Sequence, residues 1–152
     1  AEPLAREVLE KQLKLFGYES LDTLISVNSL GGLLLAKQKN REALETLAPA
    51  EAAARQVLGS SARKHRFLLN LGTAQGRTGD FAEGEATLLE AQSAAVKSRG
   101  ESHKDTRSCN QALIDLYAAW DAAQPGKGYD AKVVEWRTKL EAAVRAAEAS
   151  KK

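Results

Sequence analysis

The chain matches itself at an offset of 41 to 42 residues, and this internal repeat limits its fold more than any other feature. Gly17, Gly59 and Gly100 mark the period, and Leu30-Gly31 recurs as Leu71-Gly72. Periods of about 20–50 residues are typical of stacked supersecondary units, each of which buries its apolar face only against its neighbours. The repeat therefore predicts an array of stacked units.

Apolar residues at helical spacing, separated by glycine or proline breaks, predict seven helices. Their approximate ranges are 2–16, 21–37, 40–58, 61–77, 81–99, 105–120 and 129–148. Pro49 falls inside the third range and predicts a bend or an interruption there, because proline lacks the N–H that a mid-helix position donates. No stretch alternates in the manner of a strand. The expected fold class is all-α, an αα-superhelix of about seven antiparallel helices.

Short links between consecutive helices predict antiparallel hairpins within one domain, residues 1–152. The repeat phase assigns 1–17 to half a repeat, 18–59 and 60–100 to full repeats, and 101–149 to a divergent C-terminal capping repeat. We therefore expect the chain to be a piece of a longer protein.

The half repeat leaves the first helix without a hairpin partner. This predicts a partly uncovered apolar stripe on that helix, formed by Leu4, Val8, Leu9 and Phe16. Within the full repeats, small residues are expected where paired helices cross, at Gly31, Ala43, Gly72 and Gly84.

Composition argues against several classes of function. A formal net charge of +2 is too small to indicate nucleic-acid binding by itself. No run approaches the roughly 18 apolar residues of a membrane span. Cys109 is the only cysteine and cannot form an intramolecular disulfide, which favours a reducing compartment. We expect a cytoplasmic protein that binds neither nucleic acid nor membrane.

The residues suited to chemistry are few. His103, Asp105 and Cys109 could contribute to a zinc site or to a Cys–His nucleophile pair. The favoured interpretation is that Cys109 packs in a helix and that His103 is a loop residue before an N-cap. No Gly-rich phosphate loop and no hydrolase motif is present. We expect no enzyme activity, no metal and no cofactor.

Several motifs resemble the tetratricopeptide repeat family. The pattern is Asn70-Leu71-Gly72, then Gly79-Asp80-Phe81 and Ala86. The 42-residue spacing exceeds the usual length of about 34 residues and is similar to the kinesin-light-chain type. The closing stretches 116–120 and 135–140 resemble the ends of such arrays in bacterial signalling proteins, among them serine/threonine kinases.

The resemblance implies that the first helix of each hairpin lines a concave groove. The groove positions carried over are Asn28, Ser29, Gly32, Arg66, Asn70, Thr73, Arg77, Gln111 and Asp115. Residues 60–79 contain four Lys or Arg side chains and no acid. Asparagine amides can hold an extended peptide backbone, and arginine can grip a carboxylate bidentately.

These features predict a scaffold that binds a protein or peptide segment bearing acidic or carboxylate groups. The predicted peptide-binding residues are Asn28, Arg66, Asn70, Thr73, Arg77, Gln111 and Asp115. Three alternatives stay open. In one, the basic face is solvated without a ligand, and in another the array is a structural spacer or self-association module that uses its N-terminal helix. Trp120 and Trp136 suggest either a ligand cage or, as we favour, core and cap packing.

Overall fold

The computed structural model describes residues 1–151, and Lys152 lies outside the described residues. Within that range the chain is all-α, with the arrangement of an αα-superhelix. The α-helices are α1 (Glu2–Phe16), α2 (Leu21–Ala36), α3 (Asn40–Leu47), α4 (Glu51–Leu58), α5 (Ala62–Arg77), α6 (Phe81–Arg99), α7 (Lys104–Ala123) and α8 (Tyr129–Ala149). None of these helices is long and apolar enough to cross a membrane.

The predicted third helix is interrupted at Pro49. A single 3₁₀ turn, Ala48–Ala50, separates α3 from α4, because the proline ring cannot supply the backbone hydrogen bond that a continuous α-helix requires. The other six predicted helices form without a break. The helix prediction is thus confirmed within residues 1–151, with the third segment split into two.

The helices pair as hairpins, and the hairpins stack. The paired helices are α2 with α3, α5 with α6, and α7 with α8. The helix α5 also contacts α2 on one side and α7 on the other, so these three form one layer. The glycines that mark the period each follow a helix end in the left-handed region, with φ of 69° at Gly17, 56° at Gly59 and 90° at Gly100.

Small residues lie at the helix crossings, as predicted. A Cβ atom on Gly31 would stand 2.7 Å from Cγ of Leu47, and one on Gly72 would stand 2.7 Å from Cγ of Leu88. A Cβ on Gly84 would stand 2.9 Å from the backbone nitrogen of Gly76, and Ala43 is fully buried. These distances leave no room for a larger side chain at the glycine positions.

The apolar stripe of α1 is only partly uncovered. Leu4 and Phe16 are 65% and 61% exposed, and Val8 is also exposed. The prediction is wrong for Leu9, which is buried at 8% exposure. The reason is that α1 packs against α2, so one side of it joins the core within the chain itself.

The C-terminal hairpin carries an aromatic cluster. The ring of Trp120 stacks on Tyr129 with centroids 4.0 Å apart and on Phe81 with centroids 5.6 Å apart. Trp136 is buried beside them in the same core cluster. Trp120 therefore packs between α6 and the last hairpin, and Trp136 belongs to the core, in line with the favoured interpretation.

Glu2 joins the start of α1 to the next hairpin. Its carboxylate binds Lys37 at 2.9 Å, Lys39 at 3.0 Å and Arg6 at 2.9 Å. Hydrogen bonds from Lys37, Lys39 and Arg6 lower the pKa of Glu2 from 4.5 to about 2.

We predict that Gly72→Leu destabilises the protein by about 1–3 kcal/mol or more, because the side chain would collide with Leu88 in α6. The exposed Ala52→Leu in α4 is the matched control and should change the free energy of unfolding by no more than about 0.5 kcal/mol. Denaturant unfolding measures both. Equal stabilities of Gly72→Leu and wild type would contradict the assigned crossing.

We predict a pH-dependent contribution from Glu2. The folded protein lowers the pKa of this carboxyl, so its stabilising effect is complete above about pH 4.5 and is lost as the pH falls toward 2. Glu2→Gln should therefore be less stable than wild type at pH 6, and the difference should shrink steadily between pH 4.5 and 2 and vanish only below pH 2. Urea unfolding across this range tests it, and a difference independent of pH would contradict the linkage.

Candidate binding groove

One groove contains most of the predicted site residues. It has a volume of about 410 Å³, lies between α5 and α7, and is closed at one end by the last residues of α2. Five of the seven predicted side chains line it, namely Asn70, Thr73, Arg77, Gln111 and Asp115. Asn28 and Arg66 lie outside this lining, further toward the N-terminal ends of α2 and α5.

The floor of the groove is apolar and deep. It is formed by Leu35, Leu69, Leu88, Ala112 and Leu116 around Gly72 and Gly76. Leu88 of α6 and Leu116 of α7 fill the space that side chains at Gly72 and Gly76 would occupy, and both leucines are buried. A Cβ on Gly76 would stand 2.6 Å from Cδ1 of Leu116.

Sequence reasoning missed Gly76 and the leucine floor. The available signal was the spacing of four residues from Gly72, which places both glycines on one helix face.

Asn28 and Asn70 hydrogen-bond to each other. The Asn70 Nδ2 donates to Oδ1 of Asn28 at 2.7 Å, across positions 42 residues apart in the repeat. This bond links α2 to α5 along the groove layer. The Asn70 amide predicted to hold a peptide therefore already uses one of its donors within the chain.

Arg66 is paired within the chain as well. Its Nε and Nη2 both lie 3.3 Å from Oδ2 of Asp105. The same oxygen lies 2.9 Å from Nε2 of His65, which is 1% exposed. This cluster connects α5 to the first turn of α7, and Asp105 offsets much of the charge that Arg66 would offer a ligand.

The cluster supplies hydrogen-bond partners to the buried ring of His65. The Nδ1 of His65 lies 3.4 Å from Oγ of Ser98, so both ring nitrogens have partners. Burial by itself raises the pKa of Asp105, but the hydrogen bond with His65 and the charge of Arg66 outweigh burial, and its pKa lies below the usual range. Asp105 is therefore a carboxylate at neutral pH.

Arg77 is held by neutral groups. Its Nη1 donates to the carbonyl of Leu35 at 3.1 Å and lies 3.4 Å from Oδ1 of Asn40. It thus binds a carbonyl at the C-terminal end of α2 while keeping its full charge.

Arg77 also borders a polar cleft whose other charged residues are Lys39, Arg41 and Glu42. Lys39 is paired with Glu2 and Glu42 with Arg6, so Arg77 and Arg41 are the basic groups left at this end of the groove.

The opposite wall belongs to α7. Gln111 donates to Oδ1 of Asp115 at 3.0 Å, and both side chains are exposed. Thr73 donates to the carbonyl of Leu69 in its own helix at 2.7 Å. Its hydroxyl oxygen still faces the groove as an acceptor.

The cysteine and histidine considered for zinc binding or catalysis have structural roles instead. Cys109 is fully buried, and burial together with the charge of Asp105 raises its thiol pKa to about 12. His103 is itself the N-cap of α7, since its Nδ1 accepts from the backbone N–H of Asp105 at 3.0 Å. Residues 1–151 contain no group of three His, Cys, Asp or Glu side chains arranged to hold a metal ion.

Comparison with known proteins supplies no family assignment: no protein-family model and no curated protein matches the chain.

We predict that Asp105→Ala destabilises the protein by about 1–3 kcal/mol, because it leaves the buried His65 ring without its acceptor. Asp22→Ala is the matched control, since Asp22 occupies the first turn of α2, two repeats earlier, and is exposed. Both changes remove a charge near a helix N-terminus. Chemical denaturation should separate them, and equal losses of stability would mean that the contact with His65 contributes nothing.

Proposed function

We propose that this chain is a tetratricopeptide-like module of the kinesin-light-chain type that binds a peptide segment of a partner protein. The observation that supports it most is one groove with an apolar floor and a polar rim, lined by five of the side chains that the repeat phase selected. Sites that recognise ligands commonly combine these two features.

The size of the groove suits a short segment. Its volume of about 410 Å³ lies at the lower end of the roughly 300–1,000 Å³ typical of ligand pockets. It can receive one or two apolar side chains between α5 and α7. Polar atoms of Asn70, Thr73 and Gln111 on the rim can then hydrogen-bond to a peptide backbone.

The basic end of the groove favours an acidic or carboxylate-bearing partner. Arg77 keeps its charge there, with Arg41 close by, whereas Lys39 is paired with Glu2. Because these groups are exposed, each contact should contribute modestly, and binding should weaken as salt screens the charges. Recognition of this kind suits an interaction module of a cytoplasmic bacterial signalling protein.

A second candidate function is self-association through α1. The observation that favours it is the exposed apolar surface of that helix, which includes Leu4, Leu15 and Phe16. Exposed apolar patches often mark protein contacts. In this case the array would act as a spacer or dimerisation element, and the groove would have no ligand.

We predict that Ala119→Trp abolishes groove-dependent peptide binding. Ala119 is exposed and lines the groove on α7, so a tryptophan there would fill the space above the leucine floor. Ala52→Trp, at an exposed position of α4 outside the groove lining, is the matched control. The measurement is enrichment from a random peptide library, followed by titration of the enriched peptides at low and high salt.

The wild type and Ala52→Trp should enrich the same peptides, and Ala119→Trp should lose them. Equal enrichment by all three proteins would contradict the groove as the binding site. Two results together would favour self-association instead: no peptide is enriched, and the molecular mass in solution doubles as the protein concentration rises. Phe16→Ser should then abolish this dimerisation.

A further inference from the structure

We infer that the groove selects a dipolar segment: one apolar side chain flanked on one side by an acid and on the other by a cationic or N–H donor group. This inference rests on the proposed function and specifies the ligand of the same groove. It differs from a purely acidic ligand, because the two walls of the groove carry opposite charges.

The charge balance of the site residues supports the inference. Asp105 compensates the charge of Arg66 at 3.3 Å. Arg77 is bound only to neutral oxygens of Leu35 and Asn40, and Asp115 accepts from the neutral amide of Gln111. Within residues 1–151, neither Arg77 nor Asp115 forms an ion pair at 4.0 Å or less. They are the two groove charges left for a ligand.

The two charges stand on opposite walls. Arg77 ends α5 beside the last residues of α2, whereas Asp115 lies in the middle of α7. The repeat offset of 41 to 42 residues aligns Asp115 with Thr73, about one helical turn before Arg77. Both charged residues line the same groove as the apolar floor. A ligand side chain seated on that floor therefore has a cation on one side and an anion on the other.

The charges of Arg77 and Asp115 determine which flanking residues of a peptide the groove prefers. A carboxylate near Arg77 is attracted, but a second carboxylate toward Asp115 meets a like charge. A lysine or a backbone N–H at that position is attracted instead. Because the side chains of Arg77 and Asp115 are both exposed, salt screens these interactions. A segment with one acid and one base around the anchor should bind more tightly than one with two acids or two bases.

The test uses a peptide library with a fixed central leucine, blocked termini, and every combination of Glu, Lys and Gln at the flanking positions. The wild type should enrich peptides that carry Glu on one side of the leucine and Lys on the other. Their affinity should exceed that of the two-acid and two-base peptides by about two- to fivefold, the range of exposed ion pairs.

Two charge-removing variants test the assignment of each wall. Asp115→Asn should raise the affinity of two-acid peptides relative to dipolar ones by a similar factor, and Arg77→Gln should do the same for two-base peptides. Glu45→Gln, at an exposed position of α3, is the matched control and should leave the preferences unchanged. Thermal midpoints equal to wild type establish that each variant is folded.

The outcomes distinguish this inference from the proposed function. The dipolar ligand is overturned if two-acid peptides bind in the groove with an affinity equal to or above that of the dipolar peptides. It is also overturned if Asp115→Asn leaves the relative affinities unchanged. Both results leave the proposal of peptide binding intact. Failure of the wild type to bind any of the library peptides, or undiminished binding by Ala119→Trp, overturns both.

Discussion

The close crossing of α5 and α6 is the contact on which the middle of the molecule depends. At Gly72 and Gly84 the two helices approach so closely that even a Cβ atom would lie within 3 Å of neighbouring atoms. This close packing holds α5 and α6 together as the central hairpin, and the hairpins on either side pack against it. The same stretch of α5 borders the groove, whose lining includes Gly72, Gly76, Leu88 and Leu116. Stability and the candidate site thus share one stretch of α5.

Sequence reasoning predicted the helices well, because they follow from local periodicity, whereas the groove positions came from the family resemblance and their role in binding stays a prediction. Glycines at a fixed period located the turns, and Pro49 located the break. The partners of the site residues could not be predicted in this way. A repeat phase specifies which face a side chain occupies, whereas the bonds of Arg66 to Asp105 and of Arg77 to Leu35 depend on neighbouring helices. The burial of Leu9 was missed for the same reason.

The paired residues refine what the groove can recognise. Arg66, Asn28 and Asn70 connect adjacent hairpins and help to fix the layer formed by α2, α5 and α7. Their interactions are those of a structural scaffold. The groups left for a ligand are the leucine floor and the charges of Arg77 and Asp115, held in place by neutral neighbours. Groups that are already oriented lose little conformational entropy on binding, which favours recognition of a short segment.

Nuclear magnetic resonance mapping tests the central claim most directly, since it separates the groove from the exposed stripe of α1 in one experiment. A library-selected peptide is titrated into isotopically labelled protein, and the shifted backbone amides are assigned. The account predicts that the largest shifts fall at Thr73, Arg77, Gln111 and Asp115, with the amides of Leu4, Val8 and Phe16 unchanged. Shifts concentrated on α1, with the groove amides unaffected, would contradict it.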